Sequence, residues 1–159
     1  MDSKYYIENL KLEKHPEGGY YKETFVASDS IVRENDKKDL WTSIYFLLHT
    51  GEVSNFHRLK SDEMWYFHAG NALTIYMISP SGELIEKKLG LNISEGEEPQ
   101  VLVEKGYIFG SAMNSEGFSL VGCMVSPGFK FEDFELFKRK DLIKKYPEHE
   151  NIITKLTIE

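Results

Sequence analysis

The side chains best suited to chemistry lie in one aromatic stretch of the chain, between Gly51 and Gly70. It contains His57, Glu63 and Trp65 within nine residues. A histidine with a pKa of about 6.5 beside a carboxylate can shuttle a proton as a general acid–base pair. The same two groups can instead form an ion pair that only holds the rim of a pocket in place. The residue types alone leave both interpretations open.

Strand alternation decides whether these side chains can meet. Suppose that the stretch is a β-hairpin with the loop Lys60–Asp62. His57 then pairs with Trp65, and Glu63 lies on the same face. A loop shorter by one residue would move Glu63 to the other face. Arg58 alternates away from His57, so we expect it to make a structural or intersubunit contact or, less simply, to clamp an anion.

Short aromatic and β-branched runs separated by turn residues predict an all-β fold. The turns include Gly70-Asn71 and Pro80-Ser81-Gly82, which supply the backbone conformations that tight turns need. Nothing helical fits between the runs, so the sheets should be antiparallel. The predicted strands are Tyr20–Val26, Trp41–Leu48, Ser54–Leu59, Glu63–His68, Ala72–Ser79, Leu84–Leu89, Gln100–Val103, Tyr107–Met113 and Phe118–Ser126.

Helices are predicted only near the ends of the chain. Ser3 can cap a short helix that ends at Leu10, and apolar spacing predicts two more helices over Arg139–Tyr146 and Glu148–Leu156. The charged segment Ser28–Asp39 is expected to be a solvated connector between strands. The 159 residues fit a single domain, with a barrel core at about 15–135 and a C-terminal helical segment at about 139–156.

Composition and charge exclude several classes of protein. The net charge of −7 argues against a nucleic-acid backbone as a partner. No apolar run approaches the roughly 20 residues that a membrane-spanning helix needs. The single cysteine, Cys123, rules out an internal disulfide and a multi-cysteine metal site. No charged-then-apolar leader opens the chain, so we expect a cytoplasmic protein.

The spacing of four residues resembles the first cupin motif, in which a Gly, a His, a Glu and a second Gly recur; they are Gly51, His57, Glu63 and Gly70. More closely, the chain resembles an uncharacterised cupin group once classed as a domain of unknown function. Its landmarks here are His15-Pro16-Glu17-Gly18-Gly19, His57-Arg58-Leu59, Phe67-His68-Ala69-Gly70 and Ser126-Pro127-Gly128-Phe129. The resemblance implies an antiparallel jelly-roll β-barrel (RmlC-like), with its ligand pocket inside and usually built as a dimer.

The departures from the general cupin pattern bear on metal binding. By resemblance, metal-binding cupins hold their ion with three His and one Glu. His57 and Glu63 match two of these positions, but Leu59 and Phe109 stand at the other two. Neither side chain can donate a lone pair, so we predict no metal and no other cofactor. Only His57 and Glu63 are carried over, as pocket residues.

Two functions of different classes follow. The first is non-catalytic binding of a small, sugar-like molecule inside the barrel, with Trp65 and Phe109 as an aromatic wall. The second is a metal-independent isomerase or epimerase that acts on a sugar or nucleotide-sugar. In that case His57 is the base and Glu63 its orienter. The catalytic acid would be Tyr20, Tyr21 or Tyr45. Tyr20, Tyr45 and Arg58, the last as a possible anion clamp, complete the set of predicted ligand-binding residues.

Overall fold

The computed structural model describes all residues, Met1–Glu159, and consists mainly of β-strands. The strands are β1 (Glu13–Lys14), β2 (Tyr20–Val26), β3 (Ser30–Arg33), β4 (Asp36–Asp39), β5 (Thr42–His49), β6 (Val53–Arg58), β7 (Asp62–Gly70), β8 (Leu73–Ile78), β9 (Leu84–Leu89), β10 (Glu97–Glu98), β11 (Gln100–Val103), β12 (Ile108–Met113), β13 (Phe118–Ser126) and β14 (Glu135–Leu136). All nine predicted strands form, with ends displaced by at most two residues.

Two six-stranded sheets face each other. Sheet I has the order β1-β2-β5-β13-β7-β11, and sheet II has the order β10-β9-β8-β12-β6-β14. Most neighbours in each sheet are far apart in sequence, which is the pattern of a jelly roll. The all-β jelly-roll prediction is confirmed. One pair departs from the expected antiparallel arrangement, because the short strand β10 runs parallel to β9.

The predicted hairpin between β6 and β7 is wrong. The chain leaves β6 at Arg58 and enters β7 at Asp62, but the two strands belong to opposite sheets. His57 therefore lies beside Phe109 of β12, and Trp65 lies beside Cys123 of β13. Strand alternation could not reveal this, because a strand has the same inward and outward residues whichever neighbour it pairs with.

The charged segment Ser28–Asp39 is not a plain connector. It contains a small two-stranded sheet made of β3 and β4. The turn between them is Glu34-Asn35, and both residues have positive φ angles, as two-residue hairpins with right-handed twist require. Lys38 of β4 is buried and forms an ion pair with Asp133. This hairpin therefore holds the segment that follows β13.

Three short α-helices lie near the chain ends, and none is long and apolar enough to cross a membrane. Helix α1 spans Ser3–Leu10, and its N-cap is Asp2 rather than Ser3, because the Asp2 carboxylate accepts the backbone N–H of Tyr5. Helices α2 (Arg139–Lys145) and α3 (Glu150–Lys155) are shorter than predicted, because a 3₁₀ turn at Pro147–His149 separates them.

Apolar side chains form three clusters around the two sheets. The largest lies between the sheets and includes Trp65 and Phe109. A second lies on the outer face of sheet II, where Phe56 packs against the two C-terminal helices. A third joins Leu12 to Leu47 and Leu120 on the outer face of sheet I, beneath α1. The helices therefore cover the outside of the barrel and leave its interior to the strands.

Candidate functional site

A cavity of about 490 Å³ opens inside the barrel. Strands of both sheets line it, and so do the segment before β2 and the aromatic segment after β13. Its wall includes His57 from sheet II, and Glu63 and Trp65 from sheet I. The interior thus brings these three side chains together across two sheets, without the hairpin that the sequence suggested.

A β-bulge in β6 sets the direction of His57. Phe109 lies opposite His57 and Ser111 lies opposite Ser54, so two residues of β6 face the single residue Gly110. A Cβ atom on Gly110 would lie 2.6 Å from the carbonyl oxygen of Ser54, so only glycine fits there. The bulge changes the alternation of β6. Ser54 and His57 consequently both line the cavity.

His57 is held rigidly at the wall. Its ring lies between Phe109 and Phe134, with centroid distances of 4.1 and 5.2 Å. Its Nδ1 is 2.8 Å from the carbonyl oxygen of Asn55, which can only accept a hydrogen bond, so Nδ1 carries the proton. Burial lowers the pKa of His57 to about 4, more than the Asn55 hydrogen bond raises it. The imidazole is therefore neutral at pH 7, with its lone pair on Nε2.

Glu63 is also in an unusual state. Burial raises the pKa of its carboxyl group to about 8, and the nearby Trp65 indole and Cys123 thiol lower it by less. Its Oε2 atom is buried and has no partner within hydrogen-bonding distance, and the same holds for the indole Nε1 of Trp65, although that indole and the Cys123 thiol lie close enough to the carboxyl group to lower its pKa. A carboxyl group in this environment keeps its proton at pH 7 and can donate a hydrogen bond.

His57 and Glu63 do not form an ion pair, since no such contact joins them and both are neutral at pH 7. Glu63 does not orient His57 either, because the backbone carbonyl of Asn55 does so. The environment shifts the pKa of the histidine down and that of the carboxyl group up. Oppositely shifted pKa values of this kind are typical of acid and base roles in one site.

Two cavity residues were missed as site candidates, although their segment was noted as a family landmark. His15 and Glu17 precede β2 and line the cavity. Glu17 is buried, burial raises its pKa, and its Oε2 has no hydrogen-bond partner. Gly18, at φ 103°, lets the segment approach β6 so closely that a Cβ would lie 2.1 Å from the Val53 oxygen. The paired glycines after His-Pro-Glu were the available signal.

Four predicted ligand-binding residues need correction. Tyr20 and Tyr45 lie on the outer face of sheet I, packed with the cluster around Leu47, while Tyr21 lines the cavity instead. Arg58 also points outward, where it pairs with Glu135 at 2.6 Å and lies over Phe137. Phe109 points inward but is covered by the ring of His57. It supports the cavity wall and does not line it.

The donor set does not fit the metal ion that the general cupin pattern implies. No group of three or more His, Cys, Asp or Glu side chains is placed to hold an ion. Leu59 is buried in the cavity wall where that pattern has a histidine. Nδ1 of His57 is taken by the Asn55 carbonyl, so His57 has one ring nitrogen, Nε2, left to donate to an ion, too few donors without the missing histidines.

The fold and the interior cavity define the class of the protein: it is a cupin-type jelly roll with its site between the sheets. The chain belongs to the family described as "Cupin superfamily (DUF985)", whose model matches residues 4–137. Against oxalate decarboxylase of Bacillus subtilis the TM-score is 0.57 at 14% identity, over 90% of this chain and 36% of that chain. This likeness concerns the fold alone.

Nearer relatives share the whole architecture. Protein SO0799 from Shewanella oneidensis is 56% identical, with a TM-score of 0.93 over 99% of this chain and 98% of that chain. A hypothetical protein from Leishmania major is 35% identical, with a TM-score of 0.95 over the full length of both chains. The uncharacterized yeast protein YML079W, from Saccharomyces cerevisiae, is 30% identical over 87% of this chain and 76% of its own length.

Proposed function

We propose that this protein binds a small organic molecule inside its barrel. The observation that carries the proposal is the placement of unsatisfied polar atoms. Five buried side-chain polar atoms lack a hydrogen-bond partner, and three of them, Glu17 Oε2, Glu63 Oε2 and Trp65 Nε1, belong to residues that line the cavity. Buried polar groups without partners are costly and rare. A ligand that supplies those partners accounts for their placement.

The wall favours an uncharged ligand with one apolar face. Phe46, Phe129 and Phe134 line the cavity beside Trp65, and such surfaces suit a ring or a sugar face. The charged lining residues Lys11, Glu13, Lys22 and Glu23 are all exposed, whereas the buried His57 and Glu63 are neutral at pH 7. The buried part of the cavity therefore offers hydrogen bonds rather than a counter-charge. A volume of about 490 Å³ lies within the range of small-molecule sites.

Native mass spectrometry of the purified protein tests this proposal, together with thermal unfolding in a panel of neutral sugars and lactones. We expect a bound mass, or a rise in melting temperature that is reduced by Glu63→Gln and Trp65→Phe. Tyr45→Phe is the matched control, because Tyr45 lies outside the barrel. Equal stabilisation of all three variants would show that the ligand binds elsewhere.

A second function, proton-transfer isomerisation, is favoured by the state of His57 and Glu63. His57 Nε2 has a free lone pair and a pKa of about 4 for its conjugate acid, which is comparable with carboxylate bases that act next to carbonyl groups. It would take a proton from the carbon beside a carbonyl group. The C–H electron pair would form the C=C bond, and the carbonyl oxygen would take the proton of Glu63. Return of a proton to the other carbon, or to the other face, would complete the isomerisation.

Deuterium exchange into a neutral keto-sugar in D₂O separates this function from binding alone. Exchange in the wild type that is lost in His57→Gln and kept in Tyr45→Phe would support isomerisation. Ligand binding without exchange would leave the protein as a binding module. Binding retained by His57→Gln with exchange abolished would assign the base role directly, because the variant is then folded.

We also propose that two copies associate through the end of the molecule near the β3–β4 hairpin. Three large apolar side chains at this end are more than 60% exposed: Phe25 of β2, Val32 of β3 and Phe131. Phe131 follows Lys130, which forms an ion pair with Asp36 of β4. Strand β2 is paired on one side only along most of its length, so it offers an edge to a partner. Light scattering should give twice the 18.4 kDa chain mass, and Val32→Lys should reduce it. A monomer across micromolar concentrations would contradict this.

A further inference from the structure

The two histidines of the cavity are held in opposite ways by the backbone. His57 Nδ1 meets a carbonyl oxygen, that of Asn55, at 2.8 Å. His15 Nδ1 meets a backbone N–H, that of Glu17, at 2.9 Å. A carbonyl can only accept a hydrogen bond and an N–H can only donate one. The proton of His57 therefore lies on Nδ1, and the proton of His15 lies on Nε2.

We propose that His15 and His57 form a complementary pair of neutral tautomers that selects an uncharged ligand with a hydroxyl group next to a carbonyl group. His15 Nε2–H would donate to the carbonyl oxygen, and the lone pair of His57 Nε2 would accept the hydroxyl proton. Neither Nε2 atom has a partner within the protein, and both residues line the cavity. The inference rests on the proposed function, that the barrel binds a small molecule.

The backbone around each histidine favours one tautomer over the other. The bulge in β6 places the Asn55 carbonyl beside the ring of His57, which Phe109 and Phe134 hold from both sides. The turn that carries His15 is closed by the hydrogen bond from Gly18 N–H to the His15 carbonyl. In the other tautomer, the Nδ1 lone pair of His57 would face the lone pairs of the Asn55 carbonyl oxygen. The Nδ1–H of His15 would face the backbone N–H of Glu17.

Neutrality of both rings supports the choice of ligand. Burial lowers the pKa of His15 as well as that of His57, and raises the pKa of Glu17 and of Glu63. In the buried part of the cavity, a carboxylate or phosphate ligand would therefore meet two uncharged imidazoles and two carboxyl groups whose pKa is raised, because the two lysines that line the cavity, Lys11 and Lys22, are exposed. A hydroxy ketone or a sugar in its keto form instead matches one donor and one acceptor. It also leaves Glu63 free to donate to a second oxygen.

Long-range ¹H–¹⁵N NMR of protein labelled at histidine nitrogens reads the tautomers without any ligand. At about pH 7.5 we expect His57 to show the protonated nitrogen at δ1 and His15 to show it at ε2, and we expect the His57 signal to stay unchanged down to about pH 5.5. Addition of dihydroxyacetone should then shift both Nε2 resonances. Acetone lacks the hydroxyl groups and glycerol lacks the carbonyl group. Each should bind roughly tenfold more weakly, the equivalent of one lost hydrogen bond.

Variants assign the two roles. His15→Phe and His57→Phe should each weaken dihydroxyacetone binding about tenfold, and Tyr45→Phe should leave it unchanged. Identical tautomers in the two rings, or acetone binding as tightly as dihydroxyacetone, would overturn the proposal. No shift with any of these probes, in a protein that still carries a bound mass, would overturn the ligand class and leave the proposed function standing. No shift and no bound ligand of any kind would overturn both.

Discussion

Neighbouring residues of β6 face two different environments. Phe56 points out of the barrel into the layer formed by the C-terminal helices, and His57 points into the cavity. In the outer layer polar groups are satisfied: Arg139 donates to Thr157 Oγ1, to Glu159 and to the carbonyls of Thr154 and Thr157. In the cavity, polar atoms of three buried residues have no partner within hydrogen-bonding distance.

The outer layer therefore mainly stabilises the fold, and the cavity is the region suited to function. Burial of apolar side chains and complete hydrogen bonding in the outer layer both stabilise the folded chain. The cavity holds buried groups that destabilise the unliganded chain, and such violations concentrate where a protein binds or reacts. Substitutions in the two regions should therefore have opposite signatures: loss of stability in the outer layer, and loss of binding with unchanged or improved stability in the cavity.

Phe56→Ala should have the largest effect. The side chain is fully buried against Leu142, Ile153 and Leu156, and truncating such a residue costs about 4 kcal/mol in the free energy of unfolding. Urea denaturation measures this cost. The control is Leu91→Ala, since Leu91 is 63% exposed and its loss should change stability by less than about 0.5 kcal/mol. Equal costs at the two positions would contradict the assignment of stability to the outer layer.

Glu63→Gln should stabilise the protein in alkaline solution. The carboxyl pKa is about 8 in the folded chain against a reference value of 4.5. Between these values the native state keeps a proton that the unfolded chain releases, so wild-type stability falls as pH rises from 4.5 to 8. Glutamine does not titrate. The variant should gain about 3 kcal/mol on the wild type between about pH 4.5 and pH 9, less than the full shift implies because the cavity is open to water.

His57→Gln provides the test of opposite sign. The pKa of His57 is about 4 when folded against 6.5 as reference, so the wild type loses stability as pH falls from 6.5 to 4, and the variant should not. His15 interacts electrostatically with His57, so the difference between wild type and His57→Gln also contains a part of the His15 titration. Parallel pH profiles for wild type and Glu63→Gln would show that the carboxyl group is ionised in the folded state.

Arg139→Lys should have a smaller effect within the outer layer. The guanidinium group joins the start of α2 to the end of α3 and to the residues that follow it, through hydrogen bonds of 2.7–3.1 Å. Lysine keeps the charge but cannot reach several acceptors at once. We expect a loss of about 1.5 kcal/mol in urea denaturation, without any change in ligand binding. A loss of binding here would mean that the outer layer and the cavity are coupled.

The sequence allowed the faces of the strands to be predicted but not their partners. Alternation placed His57, Glu63 and Trp65 inward and Arg58 outward correctly, since inward and outward residues alternate whatever a strand pairs with. The pairing of His57 with Phe109 joins residues 52 positions apart. No local turn signals a contact of that range. The hairpin was therefore wrong while the grouping of inward side chains was right.

The cavity was predicted only in part, because bulges and burial depend on tertiary structure. The bulge opposite Gly110 brings Ser54 to the cavity wall. In the sequence, the only signal for this bulge is the glycine itself. Glu17 is buried by the approach of Gly18 to β6, although a glutamate beside glycines in sequence suggests an exposed turn. Both Tyr20 and Tyr21 were acid candidates, because nothing local fixes which of two adjacent tyrosines faces inward.

Trp65→Phe should have the smallest effect on stability and a clear effect on binding. The ring packs edge-on against Phe46 at 6.1 Å and near Phe109 at 6.4 Å, and phenylalanine keeps most of these contacts. The substitution removes the indole N–H, which has no partner, and the volume lost only enlarges an existing cavity. The free energy of unfolding should therefore change by less than about 0.5 kcal/mol, whereas dihydroxyacetone binding should weaken about fivefold if the indole donates to the ligand. A stability loss above about 1.5 kcal/mol with unchanged binding would mean that the indole serves the fold, and the contrast between cavity and outer layer would then fail at this residue.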